Sequence, residues 1–322
     1  MTSPATTGPS FSVVICAYTE ARWDQLVAAV ESVRGQDPAP FEMILVSDHN
    51  ERLLARLIER FPDATVVENS ERQGLSGARN SGLREAHGDV VAFLDDDARA
   101  RPGWLRELGA AYADPAVLGA GGAIIADWEQ GRPRWFPDEF DWVVGCTYRG
   151  MPVTVTPVRN AIGCNMSFRR EVFDAVGGFS HGIGRIGTRP LGGEETELSI
   201  RALRHWPERR IMYTPSAVVD HVAPAARGRF GYFRSRCYAE GLSKAAIAKL
   251  SGASSALATE RGYAVRVLGS GVLLDLVDLV RRRDPWGVAR AAAIVAGLAI
   301  TTVGYLVGTV SARPLVGEPA SS

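Results

Sequence analysis

Cysteine is scarce in this chain: four in 322 residues, at positions 16, 146, 164 and 237, with no CxxC pair. Four scattered thiols exclude a disulfide framework, a zinc ribbon and a thioredoxin-type site. Net charge is also missing, because 36 Lys and Arg balance 36 Asp and Glu. Bulk attraction to nucleic acid is thereby excluded, and no nucleic-acid partner is expected. The glycine-rich segment ERQGLSGARNSG holds no GxGxxG and is followed by no GKS/T, so it is neither a dinucleotide fingerprint nor a Walker A loop. Residues 1–10 carry no basic stretch followed by an apolar one. The expectation there is a disordered N-terminus without a secretory signal, and chemistry facing a reducing cytoplasm. No internal repeat of fixed period is visible.

What is present is ordinary globular composition, 46% hydrophobic and 22% charged. Short β-branched runs at Phe11–Ala17, Glu42–Ser47, Thr65–Glu68 and Asp89–Leu94 read as buried strands. Between them lie helical patterns, with Leu26, Val30 and Val33 in one and Leu53, Leu54, Leu57 and Ile58 in the next. Residues 76–86 form a third. This alternation predicts an α/β fold, a mostly parallel sheet flanked by helices, with ligands beyond the carboxyl ends of the strands. Polar residues fall there: Tyr18-Thr19-Glu20 after the first strand, Asp48 after the second and Asp95-Asp96-Asp97 after the fourth. Residues 127–156 break the pattern with Trp128, Trp135, Phe136, Phe140, Trp142 and Tyr148, read either as an acceptor-docking surface or as ordinary packing.

Three adjacent acids at a strand end repel one another unless something neutralises them, and a divalent cation does so well. Strand alternation places Asp95 and Asp97 on one side and Asp96 on the other. The bland alternative is an acidic turn capping a helix. A second acid cluster, Gly192-Gly193-Glu194-Glu195-Thr196-Glu197, opens a helical pattern. It reads either as capping or as a general base raised toward neutrality by neighbouring carboxylates. His221 follows a short apolar strand and reads as structural or as a third metal ligand. Arg72 and Arg79 flank glycines in ERQGLSGARNSG, a segment able to offer guanidinium and backbone amides to an anion.

In this order, VVICAYTE, ERQGLSGARNSGLREAHGDVVAFLDDD, IGCNMSFRREVFDAVGGF, GGEETELSIRAL and VVDHV resemble the family 2 glycosyltransferases, with the GT-A fold. The resemblance spans about residues 11–221. It implies a nucleotide-sugar donor, usually of uridine, with Ala17, Tyr18, Glu20 and Asp48 at the nucleoside. Arg72 would stand near base or diphosphate, and Asp95 and Asp96 would contact the donor. Asp95 and Asp97 would hold Mn²⁺ or Mg²⁺, with His221 completing the metal site. Glu195 would deprotonate the acceptor hydroxyl, with Glu194 as the alternative base, and transfer would invert the anomeric centre. IGCNMSF resembles the segment lining the sugars. Two departures stand out: Ser47 precedes Asp48 where two acids are common, and the base is Glu rather than Asp. The family's Gln/Arg-x-x-Arg-Trp motif of processive synthases is absent, so a single sugar addition is expected. Two rivals remain, a sugar-phosphate nucleotidyltransferase and a non-catalytic membrane-anchored sugar-nucleotide-binding protein.

The C-terminal third differs in kind. Residues 291–312 hold no charge, while Arg281, Arg282, Arg283 and Arg290 precede them and Arg313 follows. A helix at 288–310 is long enough to span or lie on a bilayer. The positive-inside rule places the preceding domain on the cytoplasmic face. Gly304 and Gly308 form a GxxxG that suggests close helix packing. Residues 263–283 read as an interfacial helix. Arg229, Arg234, Arg236 and Lys244 with Tyr232, Phe233 and Tyr238 read as a cradle for a lipid-linked phosphate or as a solvated face. The expected organisation is therefore a glycosyltransferase domain over 11–226 and a membrane-associated helical region over 227–322. Its acceptor would be a lipid-linked or cell-envelope saccharide.

Overall fold

A computed structural model describes residues 8–181, 192–251, 267–281 and 284–311. The expected disordered segment at 1–10 lies outside these up to residue 7, as do the first residues of the 263–283 helix, Arg282, Arg283 and Arg313. Strands β1 (Phe11–Ala17), β2 (Glu42–Ser47), β3 (Thr65–Glu68) and β4 (Val90–Asp95) form where β-branched runs predict them. Helices α1 (Trp23–Arg34), α2 (Glu51–Arg60) and α3 (Leu75–Arg84) connect them. Next come β5 (Ala98–Ala100), α4 (Trp104–Ala111), β6 (Val117–Trp128), β7 (Thr156–Val158), β8 (Asn165–Arg169), α5 (Arg170–Val176), α6 (Glu194–His205) and β9 (Arg210–Ala223). The last helices are α7 (Phe230–Ser251), α8 (Gly269–Arg281) and α9 (Trp286–Val310).

The strands make one sheet in the order β3-β2-β1-β4-β8-β6-β9-β5, with β7 on β9. β3, β2, β1 and β4 are parallel neighbours, while β8 is antiparallel to both β4 and β6. Val14, Ile44, Val46, Val91, Phe93 and Phe168 point to one face and join Leu198, Phe173 and Phe179 in a buried cluster. Their alternates Val13, Ile15, Leu45, Ala92 and Leu94 are buried too. A sheet buried on both faces explains why these strands read as continuous apolar runs. β9 runs from Arg210 to Ala223 and carries Pro215 within it.

Two compact units result: residues 1–124, 152–180 and 194–220, and residues 125–151, 181–193 and 221–322. The first holds most of the sheet and α1–α6. In the second, Phe136, Phe140 and Phe233 are buried, and the aromatic segment closes around them. Trp128–Phe136, Phe136–Phe233 and Phe140–Phe233 ring centroids lie 5.2, 5.6 and 5.2 Å apart. Of the two readings of that aromatic run, packing is the one these rings realise.

Asn165, in the segment likened to a sugar-lining one, is fully buried. Its Nδ2 donates to the Ala123 and Ala217 carbonyls at 3.1 and 2.9 Å, and its Oδ1 accepts from Trp104 Nε1 at 2.8 Å. It ties β8 to its neighbours and to α4. Asn165→Leu keeps the branched outline of the side chain but leaves three buried groups unpaired, each worth about 1–3 kcal/mol. Urea unfolding should show a loss of about 3 kcal/mol or more; a loss under about 1 kcal/mol contradicts this role.

Candidate active site

The carboxyl ends of the parallel strands are laced together. Asp48 N donates to the Ala17 carbonyl and Asn69 N to the Ser47 carbonyl, both at 2.8 Å. Asp48 is buried, and its two oxygens accept from Asn69 Nδ2 at 2.6 Å and from Gly74 N at 3.0 Å. It therefore anchors the loop that carries Arg72, whose side chain is exposed. Gly77 is required under that loop: a Cβ there would stand 2.2 Å from the Arg72 carbonyl. Ala17 is buried at the end of β1, Tyr18 is exposed and Glu20 half-buried on the turn that follows. Arg22, from the same turn, lies 5.5 Å from the Tyr18 ring centroid.

Arg22 also reaches the acidic triplet. Its Nη1 lies 3.0 Å from Asp96 Oδ1 and 3.1 Å from Asp97 Oδ2. The expected alternation, Asp95 with Asp97 and Asp96 opposite, is not what forms. The strand stops at Asp95 and a turn takes Asp96 and Asp97, so these two face one guanidinium while Asp95 faces another. Nor does Asp97 cap a helix, since α4 begins at Trp104. Burial, then Asp97 beside it, pushes the Asp96 carboxyl up to about 7, with Arg22 pulling the other way. Asp96 Oδ2 is buried without a hydrogen-bond partner among the described residues. An orphaned hard oxygen beside two more carboxylates suits a divalent cation. Cys164 and Asp95 also offer ligand atoms within 4.8 Å of one another.

Arg79 links the two acid clusters. It is 2% exposed, and its Nη1 lies 2.8 Å from Glu194 Oε1 while Nη2 lies 3.3 Å from Asp95 Oδ1 and donates to the Gly163 carbonyl at 3.1 Å. Phe93 and Phe179 flank it, their centroids 5.9 and 5.4 Å from the guanidinium carbon. Glu194 is buried at the start of α6, with Oε2 unpartnered among the described residues. Glu195 is half-buried one residue on. His221 stands on β9 in the second unit, buried, with Nδ1 3.7 Å from Cys146 Sγ.

In the sequence Arg79 stands out only as a loop cation, and nothing there marks Arg22, Asn69 or Cys164 as site residues. The available signal for Arg79 was its place on α3 among small residues, where Ser76, Gly77 and Ala78 are all buried. A cation in so buried a stretch needs buried acids. Removing one member of such a pair costs about 3–5 kcal/mol. Glu194→Gln should therefore lower unfolding free energy by that order, while Glu195→Gln changes it by less than about 1 kcal/mol. Equal losses in denaturant melts would contradict the division of labour between the two glutamates.

A family model described as Glycosyl transferase family 2 matches residues 12–177. The chain is 37% identical over 237 residues to the glucosyl-dolichyl phosphate glucuronosyltransferase of Haloferax volcanii, covering 72% of this chain and 75% of that one. It is 28% identical to polypeptide N-acetylgalactosaminyltransferase 12 of Mus musculus, covering 74% of this chain but under half, 44%, of that longer one. Among solved structures it is similar to a mannosyltransferase from Pyrobaculum calidifontis in complex with GDP-Man and Mn²⁺. That likeness has a TM-score of 0.56 at 19% identity and covers 92% of this chain and 88% of that one. GalNAc-T7 with UDP, GalNAc and Mn²⁺ gives a TM-score of 0.53 at 18% identity, covering 80% of this chain and 54% of that one. These likenesses agree with a GT-A sheet, and the family match with the order of the motifs along it. The chain belongs to the family 2 glycosyltransferases and is an enzyme of that class.

Proposed function

We propose that this enzyme moves one sugar from a nucleoside-diphosphate sugar, expected to be of uridine, to a hydroxyl of a lipid-linked glycan, with inversion. The observation that carries the reading is Arg79, which draws Asp95 and Glu194 to one buried guanidinium. Donor-side and acceptor-side acids, far apart in sequence, thereby become one site. The 37% identical relative, named for a glucosyl-dolichyl phosphate substrate, supports a lipid-linked acceptor. A nucleotidyltransferase is disfavoured, because the turn after β1 carries Tyr18-Thr19-Glu20 rather than a glycine-rich basic loop.

In this reading Tyr18, Glu20 and the Asp48-anchored loop receive the nucleoside, and Arg72 stands ready for the diphosphate. Asp95 and Asp97, with Asp96 beside them, would hold Mn²⁺ or Mg²⁺. When bound, such an ion would neutralise charge on the departing diphosphate. Cys164 beside Asp95 adds a softer donor, which favours Mn²⁺ over Mg²⁺. Glu194 is committed to Arg79, so Glu195 is the base: its carboxylate takes the proton as the acceptor oxygen bonds to the anomeric carbon. The bond from that carbon to the diphosphate oxygen breaks on the opposite face, its electron pair leaving with the nucleoside diphosphate. The α6 amino terminus favours the ionised carboxylate that this role needs.

The test is Glu195→Gln assayed with the native donor and a glycosyl-polyprenyl phosphate acceptor. General-base catalysis contributes about 10²–10⁴-fold, so kcat should fall by that factor while donor affinity changes less than about twofold. Unchanged turnover, or donor binding lost together with transfer, contradicts the assignment. NMR of the product should show the anomeric configuration opposite to the donor's; retention overturns the inverting reading.

A further inference from the structure

Helix α9 has its hydrophobicity inside out. The face it packs against protein is mostly small: Gly287, Ala291, Ala293, Gly297, Gly304 and Gly308 are buried, with Ile294 the one large side chain among them. Its open face carries large ones, with Val288, Val295, Val303, Leu306 and Val310 from 48% upward exposed and 84% at Val310. No charged residue lies on that open face between Val288 and Val310. Soluble helices put large apolar residues inward and charges outward. Among the described helices, α9 alone is long and apolar enough by composition to cross a membrane, and only 33% of its most apolar stretch is buried.

Crossing is nevertheless incompatible with how α9 is held. It is docked along its whole length onto its own unit. Near its start, Arg290 Nε lies 2.7 Å from Asp275 Oδ1 on α8. At its middle, a Cβ on Gly297 would meet the Phe140 ring at 2.3 Å. Further on, a Cβ on Gly304 would stand 2.3 Å from the Tyr238 carbonyl of α7, and one on Gly308 2.6 Å from Ala245 Cβ. At its end, Lys249 Nζ of α7 donates to the Gly308 carbonyl at 2.8 Å and to that of Ser311 at 3.2 Å. The GxxxG pair thus packs within the chain. α7 carries Arg234, Glu240, Lys244 and Lys249. Were α9 to span the bilayer, this helix would be dragged into hydrocarbon with its charges.

We infer that α9 lies in the plane of a membrane surface, its aliphatic stripe in the acyl boundary and α7 on the watery side. α8, tied to α9 through Asp275 and Arg290, also exposes Leu273 and Leu274. The rim is cationic and aromatic: Arg281 and Arg134 are exposed, and Trp286 opens α9, half out of the protein. An aliphatic stripe edged by arginine and tryptophan fits an anionic phospholipid leaflet. The enzyme is thereby monotopic. This deepens the membrane-associated reading above, and it fails separately, because donor binding does not depend on it.

The full chain is added to preformed phosphatidylcholine–phosphatidylglycerol vesicles, with one cysteine added by Ser270→Cys or Ser311→Cys and the parent chain, with its four native cysteines, as the labelling blank. A membrane-impermeant maleimide outside the vesicles should label both without detergent. Labelling of Ser311→Cys only after detergent would mean that α9 spans, and overturns the inference. Leu306→Glu with Val307→Glu should cut vesicle co-sedimentation at least tenfold and release soluble protein that binds donor as before. A wild-type chain that stays off the vesicles, or buries the stripe in a dimer by light scattering, overturns it as well.

Discussion

A guanidinium enclosed by protein must be neutralised where it stands, and Arg79 is neutralised from two directions. Asp95 closes β4 and Glu194 opens α6, and both meet this one side chain, with the Gly163 carbonyl as a third acceptor. Everything nearby is arranged to let α3 bring the arginine there. A Cβ on Gly82 would meet Val14 at 2.5 Å, so its glycine lets the helix settle onto β1. A Cβ on Gly163 would meet Arg79 Nη2 at 3.1 Å. Desolvated charges are costly when alone and stiff when paired, so the cluster fixes the spacing between the two groups of acids.

The second guanidinium, Arg22, does a different job. It sits on Asp96 and Asp97 from the turn beside Tyr18 and so couples the first strand's loop to the acidic turn. The triplet is divided between two cations. Asp95 belongs to the buried bridge; Asp96 and Asp97 belong to a pair whose cation comes from a half-exposed side chain, 21% accessible. A divalent ion competing for the latter meets a partner that can swing toward water. Asp96, with its raised carboxyl and orphaned Oδ2, is the group that gains most from such an exchange.

Much of the first unit was legible because its physics is local. Short continuous runs rich in β-branched residues and bounded by turn residues favour strands buried on both faces, and β1 to β4 lie where those runs predict them. Asp48, Asp95 and Glu194 were identifiable as acids at strand or helix ends. Their partners were not, since Asn69, Arg22 and Arg79 are chosen by tertiary proximity that no spacing reveals. Asp96 departs from strand alternation for a definite reason: a period of two holds only while the strand continues, and β4 ends one residue earlier. In the second unit the aromatic run and the GxxxG were both visible. What needed coordinates was direction, namely that the small residues of α9 face protein and the large ones face out.

The claim that the joined acid clusters form a metal-assisted sugar-nucleotide site is tested most directly by calorimetric titration of the full chain. UDP-sugars and GDP-sugars would each be titrated with Mn²⁺ and with chelator. The account predicts saturable binding of one nucleotide class with Mn²⁺, weakened at least tenfold by chelation. Absence of binding under every condition, or binding indifferent to metal, would contradict it.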